Sequence, residues 1–182
     1  MRVLAVYGSN YGQAEAVLRR VTGVLEARGH AVSVFKGDAI PAHLSLQDFD
    51  AIVVAASIRM GRYQAYMRDF VQGHRDALNA CPTAFVSVNG TRPESNPEWR
   101  AEAEGYVQEF LKETAWEPRW TANFAGALRY RRYDLVTRWT MKRISRGRGG
   151  PTDTSRDYEF TDWEAIDRFA EDLARALGAQ ER

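Results

Sequence analysis

Short runs of uniformly apolar residues alternate along the chain with segments of helical spacing, and this alternation constrains the fold more than any other feature. The apolar runs cover residues 3–7, 31–35, 51–55, 84–88 and about 120–127. A run such as AIVVAA at 51–56 has no polar face, which is typical of a strand buried on both sides of a parallel sheet. The sequence therefore predicts five buried strands.

The segments between and after these runs carry apolar residues with a period near 3.6, which predicts helices. The predicted helices cover residues 13–28, 64–74, 98–114, 133–146 and 162–177. The segment Thr161 to Glu164 predicts a capping box, in which the threonine caps the last helix. Strands that alternate with helices require right-handed crossovers and helical layers on both faces. The predicted fold class is therefore α/β with a doubly wound parallel sheet, and 182 residues suit a single domain, 1–182.

Several function classes are disfavoured by the composition. The longest apolar run, 51–56, is far shorter than the roughly 20 residues of a membrane-spanning helix. The N-terminus has no pattern of an export signal, and the single cysteine, Cys81, cannot form an internal disulfide. These features favour a cytoplasmic location. No group of His, Cys or carboxylate residues has metal-ligand spacing, so we expect no metal site.

Basic residues are concentrated in one stretch of the chain. Residues 129–148 contain eight arginines and lysines against one acidic residue, Asp134, whereas the whole chain has 25 basic and 24 acidic residues. The rest of the chain is therefore net acidic. Such segregation favours a surface for an anionic partner, which could be a membrane, a nucleic acid or a polyanionic small molecule. A solvated basic helix without a partner is the alternative interpretation.

A turn of small and polar residues, GSNYGQ at 8–13, joins the first strand to the first helix. Backbone N–H groups and the helix dipole converge on an anion at such a turn, typically a phosphate. Its spacing matches neither the dinucleotide fingerprint nor the P-loop, which disfavours NAD and ATP. A tight connection without a ligand remains the alternative.

Three further segments follow predicted strands and are richer than simple connections. They have the sequences SIRMGRY at 57–63, SVNG at 87–90 and GALRYRRY at 126–133. Because the carboxyl ends of parallel strands meet at one edge of a sheet, we expect these segments to share a ligand crevice with the first turn. Their arginines are suited to pairing with carboxylates, since a guanidinium binds a carboxylate through two hydrogen bonds.

The sequence resembles the flavodoxin-type, quinone-dependent protoporphyrinogen oxidases of bacterial haem synthesis. The segments that carry this resemblance are the first turn and residues 55–61, 126–133, 149–154 and 158–163. The resemblance covers nearly the whole chain, and the GALRY and TDW blocks are its most specific parts. It implies a flavodoxin-like fold with a five-stranded parallel sheet of order 2-1-3-4-5 and FMN at the switch point. It also implies oxidation of protoporphyrinogen IX with a membrane quinone as electron acceptor. A basic insertion at 128–158 distinguishes this family from simple electron carriers.

The resemblance also implies particular site residues. The FMN-binding residues are predicted to be Ser9, Asn10, Tyr11, Gly12, Gln13, Ser57, Ile58, Arg59, Met60, Gly61, Ser87, Val88 and Asn89. Ala14 departs from the family pattern, in which a hydroxyl residue is usual, so one hydrogen bond to the phosphate is missing. The substrate bears two propionates, and the arginines predicted to pair with them are Arg59, Arg62, Arg129, Arg131 and Arg132. The flavin carries the redox chemistry, and no side chain stands out as a catalytic acid or base.

The basic helix predicts a peripheral contact with an anionic membrane surface at the inner face of the cell membrane. Arg138, Lys142 and Arg146 share one helical face, and Val136 and Ile144 lie on another, which is typical of a helix lying on a surface. Two alternatives of other classes are an electron-carrier flavodoxin and an NAD(P)H-quinone reductase. Nucleic-acid binding is disfavoured because no recognised motif accompanies the charge. The oligomeric state is left open.

Overall fold

Five parallel strands form the central sheet of the protein. The computed structural model describes residues 1–90 and 96–179. The strands are β1 (Arg2–Gly8), β2 (Ala31–Lys36), β3 (Ala51–Ser57), β4 (Thr83–Asn89) and β5 (Trp120–Ala125). They pair in parallel in the order β2-β1-β3-β4-β5. The predicted α/β class and the order 2-1-3-4-5 are therefore confirmed.

Helices cover both faces of this sheet. They are α1 (Gln13–Ala27), α2 (Ala65–Gly73), α3 (Arg75–Ala80), α4 (Pro97–Thr114), α5 (Leu135–Gly147) and α6 (Trp163–Gly178). Helices α1 and α6 contribute to the core cluster on one face, and α2, α3 and α4 contribute to the cluster on the other. The short helix α3 was not predicted, since six residues are too few to show a clear helical period.

The two core clusters explain why the strands are apolar at every position. Successive side chains of a strand point to opposite faces of the sheet. In β1, Val3 and Ala5 therefore pack in one cluster while Leu4 and Val6 pack in the other, and all four are fully buried. The strand β3 is divided between the two faces in the same way. Burial on both sides requires the continuous apolar runs seen in the sequence.

The predicted strand at 120–127 is interrupted at Gly126. Its N–H donates to the carbonyl oxygen of Asn89 at 2.6 Å. A Cβ atom at this position would lie 3.0 Å from Cγ1 of Val88 and 3.1 Å from the carbonyl oxygen of Asn89, so a larger residue would push β4 and the chain after β5 slightly apart. Beyond it, β6 (Ala127–Leu128) pairs antiparallel with β7 (Tyr158–Glu159) in a separate two-stranded sheet. The single-strand prediction is wrong beyond residue 125.

The insertion, residues 128–158, begins in β6 and ends in β7, so this antiparallel pair closes its base. A small cluster of Leu128, Tyr130 and Tyr133 forms its buried centre. Helix α5 packs against this cluster through Met141 and exposes large apolar side chains: Leu135 is 80% exposed, Val136 75% and Trp139 63%. The basic residues of α5 do not all share one exposed face.

Arg138 is turned toward the interior of the insertion. Its guanidinium donates to the carbonyl oxygens of Tyr130 at 3.0 Å and Tyr133 at 3.1 Å. Arg138 shares a helical face with Lys142 and Arg146 by its spacing, as predicted, but its guanidinium is turned inward and adds no charge to an exposed basic surface. The physical reason is that a half-buried arginine with five N–H donors has two backbone carbonyl oxygens within reach, that of Tyr133 and that of Tyr130, which also accepts from the N–H of Tyr133.

The last helix begins one residue later than the predicted capping box requires. The Asp162 carboxylate caps α6 by accepting from the N–H of Ala165 at 2.9 Å. The Thr161 hydroxyl instead accepts from the side-chain amide of Gln13 at 2.8 Å. The capping-box prediction is wrong, since Thr161 connects α6 to the first helix. Within the described ranges, no helix is long and apolar enough to span a membrane.

Candidate functional site

A cavity of about 630 Å³ lies at the carboxyl edge of the sheet, between the loops that follow the strands and the insertion. The predicted FMN-binding residues that line it are Ser9, Asn10, Tyr11, Gln13, Ser57, Ile58, Arg59, Met60, Gly61, Val88 and Asn89. Of the arginines predicted to bind substrate, Arg59 and Arg129 line it. The crevice predicted from the four post-strand segments is therefore formed.

Five predicted site residues do not line this cavity. They are Gly12, Ser87, Arg62, Arg131 and Arg132. Ser87 is fully buried, and its hydroxyl accepts from the hydroxyl of Tyr63 at 2.8 Å. Because side chains alternate across a strand, Val88 faces the cavity and Ser87 faces the opposite layer. Ser87 and Val88 both lie near the end of β4, so the sequence alone did not show which of them lines the cavity.

The loop between β1 and α1, residues 9–12, has the geometry of an anion site. The Ser9 hydroxyl accepts from the N–H of Gly12 at 2.9 Å, and Gly12 adopts φ of 90°, a left-handed conformation that favours glycine. No side chain caps α1, whereas Asn96, Asp134 and Asp162 cap α4, α5 and α6. The first N–H groups of α1 have no partner within the helix, so they suit a phosphate.

Gln13 connects this loop to the insertion. Its side-chain oxygen accepts from Nη2 of Arg129 at 2.7 Å, and its side-chain nitrogen donates to the hydroxyl of Thr161 at 2.8 Å. The side chain is buried. Both of its amide atoms are thus engaged by protein, and what Gln13 offers an anion is its backbone N–H at the start of α1.

Gln64, which the sequence reasoning missed, organises the scaffold side of the site. Its side-chain nitrogen donates to Oδ1 of Asn10 at 2.6 Å and to the hydroxyl of Ser57 at 2.9 Å. It therefore joins the loop after β1 to the end of β3. Its position at the predicted start of a helix carries no functional signal, because only the fold brings residues 10, 57 and 64 together.

The segment after β3 forms a tight turn at the lip of the cavity. Arg59 and Arg62 exchange both backbone hydrogen bonds, at 2.9 and 3.1 Å. Between them, Met60 and Gly61 both have positive φ, 51° and 79°. Positive φ is uncommon for a methionine, and its side chain is 71% exposed. The turn therefore presents an apolar side chain at the mouth of the cavity.

The far wall of the cavity contains polar residues that the sequence analysis did not identify. Both Glu102 carboxylate oxygens accept from Nη2 of Arg148, at 2.8 and 2.9 Å. The Tyr106 hydroxyl donates to the same carboxylate at 2.9 Å. These contacts join α4 to the end of α5. Residues 102 and 148 are 46 positions apart, so no local pattern could have paired them.

Tyrosine hydroxyls near the site are held in the protonated state. Burial raises the pKa of Tyr133, whose hydroxyl accepts from the N–H of Arg129 at 3.1 Å. Burial, together with the hydrogen bond to Glu102, raises the pKa of Tyr106. At neutral pH these groups are hydrogen-bond donors and not bases. Among the described residues, no group of three or more His, Cys, Asp and Glu could hold a metal ion.

Four contacts join the insertion to the loops of the scaffold. The Tyr11 and Tyr133 rings meet edge to face with centroids 4.6 Å apart. Within the scaffold, the Arg59 guanidinium lies 5.7 Å from the centroid of Tyr11. Arg59 also donates to the hydroxyl of Thr137 at 3.0 Å. The remaining two contacts are those of Arg129 with Gln13 and of Arg132 with the carbonyl of Tyr11. The insertion is therefore fixed over the cavity at several points.

A parallel sheet of order 2-1-3-4-5, with an uncapped helix N-terminus beside a cavity at its switch point, defines the flavodoxin-like, FMN-binding class. The chain belongs to the family described as "Flavodoxin domain", whose profile matches residues 4–155. A flavodoxin from the domain Archaea has the same fold, with a TM-score of 0.56 at 18% identity, over 98% of this chain and 99% of that chain.

The similarity to two sequence relatives goes beyond the fold. The chain is 33% identical over 176 residues to "Protoporphyrinogen IX dehydrogenase [quinone]" of Escherichia coli strain K12, covering 96% of this chain and 95% of that protein. It is 31% identical over 177 residues to a protein of the same name from Leishmania major, covering 95% of this chain and 74% of that protein. The residues of the site fit FMN, since the uncapped start of α1 supplies phosphate donors next to the cavity.

Proposed function

We propose that this protein is an FMN-dependent oxidoreductase that oxidises protoporphyrinogen IX to protoporphyrin IX and passes the electrons to a quinone. The main support for the proposal is that the chain is similar to the Escherichia coli dehydrogenase along nearly its whole length. The similarity spans 96% of the chain, and it therefore includes the insertion that walls the cavity as well as the flavodoxin-like scaffold. A scaffold alone would indicate only a flavin-binding fold.

The overall reaction removes six electrons and six protons from protoporphyrinogen IX and reduces three quinones to quinols. FMN supplies a two-electron acceptor next to the substrate when it is bound. The protein places the two partners next to each other. The backbone N–H groups at the start of α1 would hold the phosphate, and residues 57–61 together with Val88 and Asn89, which line the cavity, would flank the ring system.

The cavity-lining arginines are the candidates to bind the substrate propionates. Arg59 and Arg129 line the cavity from the scaffold side and the insertion side, and Arg148 lines its far wall. Arg129 is paired with Glu159 at 3.0 Å and Arg148 with Glu102, so these two charges are already partly satisfied. Arg59 has a hydroxyl, Thr137, as its hydrogen-bond partner. We therefore assign the strongest propionate contact to Arg59.

The reaction is tested by porphyrin fluorescence after anaerobic mixing of FMN-loaded protein with protoporphyrinogen IX. We expect a fluorescence rise that requires both the protein and a soluble quinone. With flavin demonstrably bound, the absence of any rise above the uncatalysed background would contradict the proposal. Reduction of the bound flavin by NADPH would then favour a nicotinamide-linked reductase, and no reduction would favour an electron carrier.

The propionate assignment is tested by Arg59→Gln with Arg19→Gln as control. Arg19 is exposed on α1 and does not line the cavity, and the control removes the same charge. We expect Arg59→Gln to raise the apparent KM for protoporphyrinogen about tenfold or more, since a charge-assisted hydrogen bond contributes roughly 1.5–3 kcal/mol. An unchanged KM in Arg59→Gln would remove Arg59 from the substrate site.

The exposed side of the insertion is proposed to contact an anionic membrane surface, where the quinone is dissolved. Leu135, Val136 and Trp139 form an exposed apolar patch on α5, with the Arg143 guanidinium 5.7 Å from the ring centroid of Trp139. Apolar and basic side chains together on one exposed helix are typical of interfacial helices. Each basic residue near an anionic leaflet contributes roughly 1 kcal/mol, which salt weakens. The attachment is therefore peripheral.

Sedimentation with vesicles tests this contact. We expect the protein to sediment with phosphatidylserine-containing vesicles at low salt and to be released by added salt, with little binding to purely zwitterionic vesicles. Lys142→Gln combined with Arg146→Gln should weaken the binding. The control, Arg19→Gln with Arg168→Gln, removes two charges from exposed positions of α1 and α6. Equal binding of the two double variants would contradict a specific role for α5.

A further inference from the structure

Arg132 lies at the anion-binding loop and not in the cavity where a substrate arginine was expected. Its Nη1 atom donates to the carbonyl oxygen of Tyr11 at 3.0 Å. The same atom is 3.3 Å from the position that a Cβ atom on Gly12 would occupy. The guanidinium of an insertion residue is thus held directly against the loop that precedes α1.

The charge of Arg132 is not neutralised by the protein. Within the described ranges, no carboxylate lies at salt-bridge distance from it, whereas Arg129 pairs with Glu159 and Arg148 with Glu102. The bond to Tyr11 uses one of the five N–H donors of the guanidinium. A fixed, unpaired cation with further donors beside an uncapped helix N-terminus is complementary to a phosphate dianion.

The side chains of the loop and of the first residues of α1, residues 9–14, carry no positive charge. Ala14 is fully buried and contributes only its backbone N–H. The Gln13 amide is engaged by Arg129 and Thr161, and the Ser9 hydroxyl, which accepts from Gly12, can donate its O–H but carries no charge. The side chains that could compensate the phosphate charge therefore have to come from outside the loop, and Arg132 is positioned to do so.

We propose that Arg132 is the charged partner of the FMN phosphate, so that the insertion selects FMN over riboflavin. This inference rests on the proposed function, because it assumes FMN as the cofactor. A phosphomonoester carries about −1.5 to −2 charges at pH 7, whereas riboflavin carries none at that position. The contribution of Arg132 therefore applies to FMN and not to riboflavin, and it weakens as salt is added.

The test compares the affinities of flavin-free protein for FMN and riboflavin, measured by quenching of flavin fluorescence. We expect Arg132→Gln to raise the Kd for FMN by about tenfold or more and to leave the Kd for riboflavin within about twofold. The matched control is Arg131→Gln, which removes the same charge one residue away. Arg131 contacts Asp157 only through its backbone N–H, so we expect neither Kd to change by more than about twofold.

The possible outcomes separate the inference from the proposed function. Unchanged FMN affinity in Arg132→Gln would overturn the inference. Equal weakening for FMN and riboflavin would also overturn it, because Arg132 would then support the loop and not the phosphate. Equal weakening of FMN by both variants would indicate general attraction by the basic insertion and likewise overturn it. If the unmodified protein bound neither flavin, the proposed cofactor itself would be contradicted.

Discussion

The scaffold, consisting of the sheet with α1–α4 and α6, and the insertion are stabilised in different ways. Every residue of β4 is buried, and the strands β1 and β3 are buried nearly throughout. By contrast, all residues of α5 are among those the structure describes, and of these only Ser145 is buried. The insertion depends on a cluster of three buried residues and on individual polar contacts with the scaffold.

This difference indicates a division of roles at the cavity. In the scaffold, the close packing of the core fixes the positions of the loops after β1, β3 and β4. The insertion supplies guanidinium groups, which a core cannot contain without cost, and it also exposes apolar side chains. We therefore expect substitutions in the scaffold to alter global stability and substitutions in the insertion to alter local order, cofactor affinity and surface contacts.

The largest effect is expected for Phe85→Ala in the scaffold. Phe85 is fully buried in β4, and its ring centroid lies 5.2 Å from that of Phe110 and 5.4 Å from that of Trp116. Removing a buried ring of this kind lowers the free energy of unfolding by about 3–5 kcal/mol. This loss of stability is measured by unfolding the protein in urea while the circular dichroism signal is recorded. A loss below about 1 kcal/mol would show that the core repacks, and the contrast between the two regions would weaken.

A smaller global effect is expected for Tyr130→Ala in the insertion, although Tyr130 is equally buried. Its ring packs within the insertion cluster, and its hydroxyl donates to the carbonyl of Pro151 at 2.9 Å. We expect trypsin to cleave the arginine-rich insertion about tenfold faster, because local opening becomes easier by roughly 1.4 kcal/mol or more.

The sheet should remain folded in this variant. We expect its urea transition to shift by much less than that of Phe85→Ala. Tyr130→Phe is the matched control: it retains the ring and loses only the hydrogen bond, so its cleavage rate should stay nearer to that of the unmodified protein. A shift of the global transition as large as that of Phe85→Ala would mean that the insertion unfolds together with the sheet.

Two helix caps of the same residue type provide a closer comparison. Asp162 caps α6 and Asp134 caps α5, each by accepting a backbone N–H at 2.9 Å. Loss of a cap costs roughly 1 kcal/mol when the helix belongs to the cooperative unit. We expect Asp162→Ala to lower the free energy of global unfolding by about that amount and Asp134→Ala to lower it less. Equal losses would place α5 in the same cooperative unit as α6.

The smallest effect is expected for the exposed apolar patch. The combined variant Leu135→Ser and Val136→Ser changes side chains that are 80% and 75% exposed. Surface substitutions usually alter stability by less than about 0.5 kcal/mol. Thermal unfolding should therefore be unchanged, while vesicle binding falls. Destabilisation well beyond that range would show that these side chains are covered in solution, by another copy of the chain or by the insertion itself.

Strand-forming and helix-forming patterns were sufficient to predict the α/β architecture. The continuous apolar runs of β1, β3 and β4 identify strands buried on both faces, and the small residues after β1 indicate the anion loop. The strand order and the cofactor followed from the resemblance, because local patterns do not specify which strands are neighbours. The sequence did not predict that the strand ends before Gly126, because the cause is a contact with Val88 and Asn89 on another strand.

The candidate site was predictable where it depends on the ends of strands and not where it depends on long-range pairing. Ser9, Tyr11 and Arg59 line the cavity as expected, because strand ends in a parallel sheet share one edge. The Glu102–Arg148 pair on the far wall could not be foreseen from the sequence.

The sequence by itself determined the layers, the anion loop and the accumulation of arginines near the last strand, because periodicity and turn chemistry are local properties. Only the tertiary structure decided where the guanidinium group of each arginine lies. Arg59 and Arg129 line the cavity, Arg132 contacts the loop before α1, and Arg138 faces inward. The physical reason is that a long, flexible side chain takes its direction from acceptors that folding brings near, and those acceptors lie far away in sequence.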